Sequence, residues 1–556
     1  MSRVGDHLSD TLKGHIAYDG TSTPAKTALF LVVCAAWLLP GLIGHDPWKT
    51  DDAVSFGVVS EMLKGGDWMI PFVAGEPYLE RAPLFFWVSA LFAKLFGAVL
   101  PLHDAARLAA GFFMAVTLAA TSLAAMAIHG ERAARISVLL LIGCVGLLIR
   151  AHEMSTDLAG LAGVALGLLG FALCAKRPRL GGAVAGLSIA TAFLGDGFFP
   201  AFLLVAVGAL LPFAGGAWRT RGYAIAAGIA LAIALPLAAA WPIAFAYKSP
   251  ALWHEWLSQA LASRWSGSTA RAGFTDLFYF AKIITWYAWP ALPLAAWTLW
   301  RARKTIRQRP NLQLPLAALV VFFTALTLVA EAREVNALPL LLPLVLLGVA
   351  ELDSIRRGAA SALDWFGVTT FFLFGALIWL GWIAAMTGSP EPIAAWLQRE
   401  VPGYKYAFRF IPFALAMLLT LVWIVVVARS LRTTRRAVVN WAAGITMTWM
   451  LVMTLGLPLV DQARSYRATA EQLRAALGGS LCTVGMGLGD PQRALLDHYI
   501  QLRTFKPEHP NAANCKTLLV QGAPGRLPEV GAQWAEAWRG SRPGDKTEVF
   551  VLYRRG

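Results

Sequence analysis

About thirteen apolar segments of roughly membrane-spanning length dominate this 556-residue chain. A transmembrane α-helix needs about 20 mostly apolar residues, and a chain that is 57% hydrophobic can supply many of them. Because lipid offers no partner to unpaired backbone groups, such segments must be helical. We therefore predict an all-α polytopic membrane protein, with spans at about 27–44, 105–128, 136–149, 158–175, 181–194, 198–215, 223–246, 281–300, 313–331, 337–352, 362–387, 410–428 and 439–459.

The net charge of +15 comes from Lys and Arg residues that lie mainly in the short loops between these segments. This is the positive-inside pattern, which indicates topology and attraction to membrane lipids rather than binding of nucleic acid. The further apolar segment 83–102 decides the topology. If it lies in the interface, every basic loop is cytoplasmic; if it crosses, all of them move outside. We predict an interfacial helix, a cytoplasmic N-terminus and an extracytoplasmic C-terminus.

Three parts of the chain follow from this topology. We predict a cytoplasmic tail at 1–26, a transmembrane domain at 27–460 with interfacial helices within 50–102, and a soluble α/β domain at 461–556. In the last part we expect helices at 466–476, 491–503 and 527–538, alternating with strands at 480–486, 516–521 and 547–553. Cys482 and Cys515 begin two of these strands. A disulfide between them would suit an oxidising compartment, but spacing alone leaves free thiols as the alternative.

The segment 47–83 is amphipathic and is expected to lie at the membrane surface. Asp51 and Asp52 begin its helix, which is an unusual place for two carboxylates in so hydrophobic a protein. A carboxylate at a helix N-terminus is stabilised by the helix dipole and could act there as a general base. The alternative from spacing alone is that Asp51 only caps the helix.

Several short motifs in this region resemble one known family. The chain is similar to the GT-C membrane glycosyltransferases, in particular to the aminoarabinose lipid A transferases and, more distantly, the protein O-mannosyltransferases. The resemblance covers about 27–460 and is strongest over 46–110. It implies a polyprenyl-phosphate sugar donor and an inverting transfer on the extracytoplasmic side. The motifs are Asp51-Asp52, Gly66-Asp67-Trp68, Gly75-Glu76-Pro77-Tyr78 and Glu80-Arg81-Ala82-Pro83-Leu84.

The resemblance also implies roles for three acids. Asp51 matches the family's presumed base, which deprotonates the acceptor hydroxyl. Asp52 stands where the family usually has Glu, so it keeps the charge with a shorter reach. Asp157 matches a second family acid that orients the acceptor or a basic group. Without the resemblance, Asp157 could be only the N-cap of the span at 158.

The resemblance implies that arginines bind the phosphate of the donor, and the candidates are Arg81, Arg264 and Arg333. For Arg264 and Arg333 the alternative is ordinary anchoring at the membrane surface. Arg81 stands where the aminoarabinose enzymes typically have Lys, and an Arg fork can hold a phosphate in two places. Asp196 stands where the family commonly has a Lys, so recognition of donor or acceptor is expected to differ. Glu80 and His103 are candidate ligands of a divalent ion. Two ligands are too few to define a metal site from the sequence.

These observations predict an inverting glycosyltransferase of a bacterial inner membrane, with a periplasmic active site and no required cofactor. Its expected partners are an undecaprenyl-phosphate sugar and, as acceptor, lipid A or another envelope glycolipid. A protein hydroxyl is the second candidate acceptor. A transporter or flippase of lipid-linked sugars would call for internal repeats and intramembrane charge, and neither is evident in the sequence. A non-catalytic envelope scaffold with a degenerate site is the other alternative.

Overall fold

The computed structural model of the chain describes residues 24–265, 278–329, 331–430, 434–479 and 482–555. Most of this part of the chain is helical. The helices before the C-terminal domain are Pro24–Leu38, Asp51–Leu63, Leu84–Phe96, Leu102–His129, Glu131–Ile142, Leu147–Arg150, Thr156–Cys174, Pro178–Asp196, Phe198–Ala214, Arg221–Lys248, Pro250–Trp265, Tyr279–Tyr287, Ala291–Ala302, Pro310–Val329, Leu338–Gly348, Arg357–Thr387, Glu391–Glu400, Phe410–Arg429, Arg436–Leu451 and Leu457–Arg464.

Seven helices among the described residues are long and apolar enough to cross a membrane, which makes the chain a multi-pass membrane protein. The predicted count of thirteen spans is not confirmed, because several of the other apolar helices are short or interrupted. The predicted span 281–300, for example, is broken at Pro290 into Tyr279–Tyr287 and Ala291–Ala302. The helix Leu84–Phe96 has 13 residues and is about 20 Å long, too short to cross the apolar core upright. This length supports the predicted interfacial position.

Glycines bring two antiparallel helices, Thr156–Cys174 and Pro178–Asp196, into close contact. A Cβ atom on Gly163 would lie 2.6 Å from the backbone nitrogen of Ala192, so no larger residue fits there without a shift. Small residues at such an interface let helix backbones approach closely. Because the helices are antiparallel, the start of the first meets the end of the second. Asp157 and Asp196 therefore lie at the same end of the pair.

The C-terminal domain contains a mixed five-stranded sheet beside two helices, and this confirms the predicted small α/β domain. In sheet order, the first three strands pair parallel to one another. The pairings of the third strand with the fourth and of the fourth with the fifth are antiparallel. The sulfur atoms of Cys482 and Cys515 are bonded, as the oxidised alternative predicted. The helices are Arg467–Leu477 and Asp490–Ile500, and the strands, in sheet order, are Thr504–Phe505, Thr483–Met486, Thr517–Gly522, Val549–Arg555 and Trp534–Gly540.

The predicted helix at 527–538 is wrong. Trp534–Gly540 is an edge strand that pairs antiparallel with Val549–Arg555. An irregularity in the register between Glu536 and Trp538 lets Trp534 and Trp538 pack on different hydrophobic clusters of the domain. Tertiary pairing of these large side chains therefore overrides the local helix preference of the alanines and glutamate.

Asp51–Leu63, which we call the site helix, is held between the membrane helices and the C-terminal domain. A Cβ atom on Gly57 would lie 2.7 Å from the Cβ of Ala494, so the two backbones are in close contact here. Ion pairs fix the same interface: Arg503 to Glu61 at 2.6 Å, and Lys64 to Asp497 at 3.1 Å. The position of Asp51 thus depends on both parts of the protein.

Candidate active site

The first turn of the site helix carries both predicted carboxylates. Thr50 precedes the helix and its side chain makes no capping bond, while Asp51 and Asp52 are the first two helical residues. Asp51 is therefore not the helix cap. Successive side chains on a helix point about 100° apart. The two carboxylates consequently have different surroundings.

Asp51 faces a partly open cleft. Its side chain is 23% exposed, and its nearest cation is Arg150, with Nη1 of Arg150 3.9 Å from Oδ2 of Asp51. Arg150 is itself held by Glu153 at 2.9 Å. Asp51 is thus close to a positive charge without forming a tight ion pair with it.

The surroundings of Asp51 change its acidity. Burial raises the pKa of the Asp51 carboxyl above its usual value, and the negative charge of Asp157 acts in the same direction. The positive charges of Arg81, Arg333 and Arg150 act against this rise but do not cancel it. A general base works best when its pKa is close to the working pH, and a raised carboxyl pKa moves Asp51 toward that condition. Burial also raises the pKa of Glu153.

Arg81 joins the two acids at the ends of the paired helices. Its Nη1 lies 3.4 Å from Oδ1 of Asp157, and the same nitrogen forms a second, short ion pair with Asp196. Burial alone would lower the pKa of Arg81, but these two carboxylates outweigh it and raise the pKa. Two carboxylates around one guanidinium give the cluster an excess negative charge. In this arrangement Arg81 is already paired on both sides.

Asp157 is not an N-cap either. Ser155 occupies the N-cap position of Thr156–Cys174, and its hydroxyl oxygen accepts a hydrogen bond from the backbone N–H of Asp157. The Ser155 hydroxyl also donates to Oδ2 of Asp157 at 2.6 Å. The cap thus holds the Asp157 carboxylate in the orientation that meets Arg81.

Asp52 is sealed inside the protein. Its side chain is 4% exposed and accepts from Nε and Nη2 of Arg107 at 3.1 and 2.9 Å. The backbone N–H groups of Trp48 and Met154 donate to the same carboxylate. Four donors saturate its acceptor capacity. Burial alone would raise the pKa of Asp52, but Arg107 outweighs it and lowers the pKa. With its acceptor capacity filled by the protein, Asp52 fits a structural role, and its catalytic role stays a prediction.

The remaining predicted donor-binding arginines lie in less enclosed positions. Arg333 is exposed and lies just before a short 3₁₀ helix, Glu334–Ala337. Its charge lowers the pKa of Asp51, which indicates that it is near the cleft. Arg264 falls in the last turn of Pro250–Trp265, but its side chain lies outside the described residues.

The structure does not bring the two candidate metal ligands into a metal site. Glu80 is exposed and contacts the hydroxyl of Tyr78 at 3.5 Å. His103 lies 3.6 Å from Asp104 and packs near His498, with 6.3 Å between ring centroids. Across the described part of the chain, no group of three or more His, Cys, Asp or Glu residues could hold a metal ion.

Sequence reasoning missed Arg107 and treated Asp196 only as a departure from the family pattern. Arg107 is fully buried and pairs with both Asp52 and Asp104. The available signal was Asp104-x-x-Arg107 at the start of an apolar helix, where a charge needs a partner. No sequence pattern showed that Arg150 reaches Asp51.

Comparison with solved structures defines the class of fold. A crystal structure of ArnT from Cupriavidus metallidurans bound to undecaprenyl phosphate matches with a TM-score of 0.67 at 18% identity, over 96% of this chain and 98% of that one. The same protein without ligand matches with a TM-score of 0.66. This chain has the GT-C fold of ArnT, as the sequence predicted.

Similar sequences point to one group within that class. No family model matches the chain. A protein of Pseudomonas aeruginosa (strain LESB58), named undecaprenyl phosphate-alpha-4-amino-4-deoxy-L-arabinose arabinosyl transferase, is 27% identical over 449 residues, 77% of this chain and 75% of the relative. A protein of Serratia proteamaculans (strain 568) with the same name is 24% identical over 441 residues, 77% and 76% of the two chains. The predicted resemblance to the aminoarabinose transferases is confirmed.

Proposed function

We propose that this chain is a membrane glycosyltransferase that moves a sugar from undecaprenyl phosphate to lipid A or another envelope glycolipid. The observation that carries the proposal is Asp51, a partly exposed carboxylate with a raised pKa beside Asp157 and Arg81. The names of the curated relatives give the donor class, an undecaprenyl-phosphate-linked amino sugar in their case.

The chemistry uses Asp51 as the base. Asp51 takes the proton of the acceptor hydroxyl while the acceptor oxygen forms a bond to the anomeric carbon. The bond between that carbon and the phosphate oxygen breaks, and its electron pair leaves with undecaprenyl phosphate. The configuration at the anomeric carbon is inverted because the acceptor attacks opposite the leaving group. Arg333 and Arg264 stabilise the charge that develops on the phosphate.

Asp157 and Arg81 have supporting roles in this proposal. Asp157 holds the Arg81 guanidinium at the edge of the cleft and keeps the pKa of Asp51 raised. Arg81 contacts the lipid phosphate only if that phosphate displaces one of its two carboxylate partners. Asp196, the partner that departs from the family pattern, is the one we expect to be displaced.

We propose that the N-terminus is cytoplasmic and that the cleft and the domain at 461–556 are periplasmic. The distribution of basic loops supports this orientation. The Cys482–Cys515 disulfide supports it independently, because such bonds persist in oxidising compartments and are rare in the cytosol.

A mass-spectrometric comparison of envelope glycolipids tests the function. Cells would carry the intact protein, Asp51→Asn, Asp353→Asn or none. Asp353 is 63% exposed and pairs with Arg435, outside the candidate site, so its variant is the matched control. We expect a sugar-sized mass on lipid A with the intact protein and with Asp353→Asn, and its absence otherwise. Identical glycolipids in all four strains, with equal amounts of protein in the membrane, would contradict a glycolipid acceptor.

A further inference from the structure

A polar cavity adjoins Asp51 on its Arg150 side. Its volume is about 310 Å³, at the lower end of the range for small-molecule sites. None of the site residues predicted from the sequence lines this cavity. It is lined by Lys49, Thr50, Val145, Gly146, Ile149, Arg150, Glu153, Trp286, Tyr287, Glu334 and Arg464.

The cations of this cavity include one that is available to a ligand. The Arg464 guanidinium lies over the Trp48 ring, 5.2 Å from its centroid, and among the described residues it makes no ion pair. Lys49 is 33% exposed and its Nζ lies 3.5 Å from Glu548 of the C-terminal domain. By contrast, Arg150 is held by Glu153. An Arg fork without a carboxylate partner suits a phosphate group.

Two aromatic side chains that line the cavity, Trp286 and Tyr287, give a second, independent indication of a ligand. Tyr287 is 1% exposed, and its hydroxyl has no hydrogen-bond partner in the part of the chain that the structure describes. Buried hydroxyls are nearly always hydrogen-bonded, so this one calls for a partner that the protein does not supply. Its neighbour Trp286 is 46% exposed and offers an apolar ring face in the same cavity.

We propose that this cavity binds the phosphorylated sugar headgroup of the acceptor glycolipid, with Arg464 and Lys49 on its phosphate and Tyr287 on a sugar or phosphate oxygen. The inference rests on the proposed function. An inverting transfer places the acceptor and the leaving phosphate on opposite sides of the anomeric carbon. The base must reach the acceptor oxygen. Arg150 lines this cavity and also lies beside Asp51, so the cavity is on the acceptor's side of the reacting carbon. The donor phosphate is then on the opposite side.

Equilibrium binding to the purified full-length protein in detergent tests the proposal without needing transfer. The probes are lipid A, enzymatically dephosphorylated lipid A and undecaprenyl phosphate. The variants are Arg464→Gln and Tyr287→Phe, with Arg526→Gln as the matched control, since Arg526 is exposed and lies outside the cavity. Equal thermal midpoints of all four proteins establish that the variants fold.

We expect Arg464→Gln to weaken lipid A binding about tenfold, as loss of a charge-assisted hydrogen bond does. Tyr287→Phe should weaken it about fivefold, the cost of one neutral hydrogen bond. Dephosphorylated lipid A should not distinguish Arg464→Gln from the wild type, and undecaprenyl phosphate should bind all four proteins equally.

Three results would overturn the proposal. The first is unchanged lipid A binding by Arg464→Gln, and the second is no lipid A binding by the wild type. The third is weakened undecaprenyl phosphate binding by Arg464→Gln, which would assign the phosphate in this cavity to the donor. If transfer in cells still depends on Asp51, each of these results leaves the glycosyltransferase function standing.

Discussion

Two adjacent carboxylates, Asp51 and Asp52, lie in opposite kinds of environment. Asp52 belongs to a closed cluster with Arg107 and Asp104, in which the Arg107 side chain is fully buried and every charge has a close partner. Asp51 belongs to an open cleft in which its nearest cation is 3.9 Å away. The closed cluster lowers the pKa of its carboxylate, whereas the open cleft raises it.

The two environments suit different roles, stabilisation of the fold for Asp52 and proton transfer for Asp51. A saturated, buried ion pair cannot exchange partners during a reaction, because each broken contact leaves a charge without solvent. A partly exposed carboxylate with incomplete pairing retains acceptor capacity for a substrate proton. The open cleft is therefore where we expect the reaction, and the closed cluster is the support that fixes the start of the site helix.

Asp51→Asn should have the largest effect on activity. Loss of a general base lowers the rate by about 10²–10⁴-fold. The protein should be as stable as the wild type or more so at neutral pH, because burial destabilises the ionised form of Asp51 and the neutral amide removes that cost. Transfer rates in membranes and thermal unfolding in detergent measure the two quantities. Unfolding of Asp51→Asn would contradict the view that Asp51 serves catalysis and not stability.

Asp52→Asn should mainly reduce the stability of the protein. It breaks a buried ion pair, which costs about 3–5 kcal/mol because Arg107 loses part of its compensation. The double variant Asp52→Asn/Arg107→Met should recover part of this loss, since no unpaired cation remains. Thermal midpoints in one detergent compare the three proteins. A stable but inactive Asp52→Asn variant would support the catalytic role that the sequence predicts for Asp52.

Asp196→Asn should strengthen donor binding. Asp196 shares the Arg81 guanidinium with Asp157, and removing its charge neutralises the cluster and leaves Arg81 freer to contact a phosphate. We expect the KM for the undecaprenyl-phosphate sugar to fall about fivefold, equivalent to roughly 1 kcal/mol for one charge near a partly exposed site. Asp353→Asn, outside the candidate site, is the matched control. An increased KM would mean that Asp196 itself contacts the donor or holds Arg81 in its productive position.

The sequence predicted the membrane helices and much of the cleft. Apolar segments correspond to the long helices. The family-like motifs singled out Asp51, Asp157 and Arg81, which are distant in sequence and share one network of charges in the structure. The signal was local in each case. Apolar length is visible in the sequence itself, and short motifs retain the residue types that a site requires.

What the sequence did not reveal depends on tertiary packing. The pairing of Arg81 with Asp196 requires two antiparallel helices in glycine-mediated contact, and sequence does not specify which helices pair. The same holds for Arg107, which is opposite Asp52 only after the helix Leu102–His129 packs behind the site helix. The strand Trp534–Gly540 forms for a similar reason, because its partner strand decides its conformation.

The smallest expected effect is a shift in the pH dependence of transfer. Asp51 must be ionised to accept a proton, so kcat/KM falls as the pH drops through its pKa. Arg150 lowers the pKa of Asp51, so Arg150→Gln should move this acidic limb to higher pH. Asp157 raises the same pKa, and Asp157→Asn should move the limb to lower pH. Opposite shifts from two variants cannot come from a general loss of structure, whereas an acidic limb that stays in place in both would show that another group controls it. The Asp52 cluster offers the contrast, since its carboxylate is sealed from the substrate and conservative changes there should leave the limb where it is.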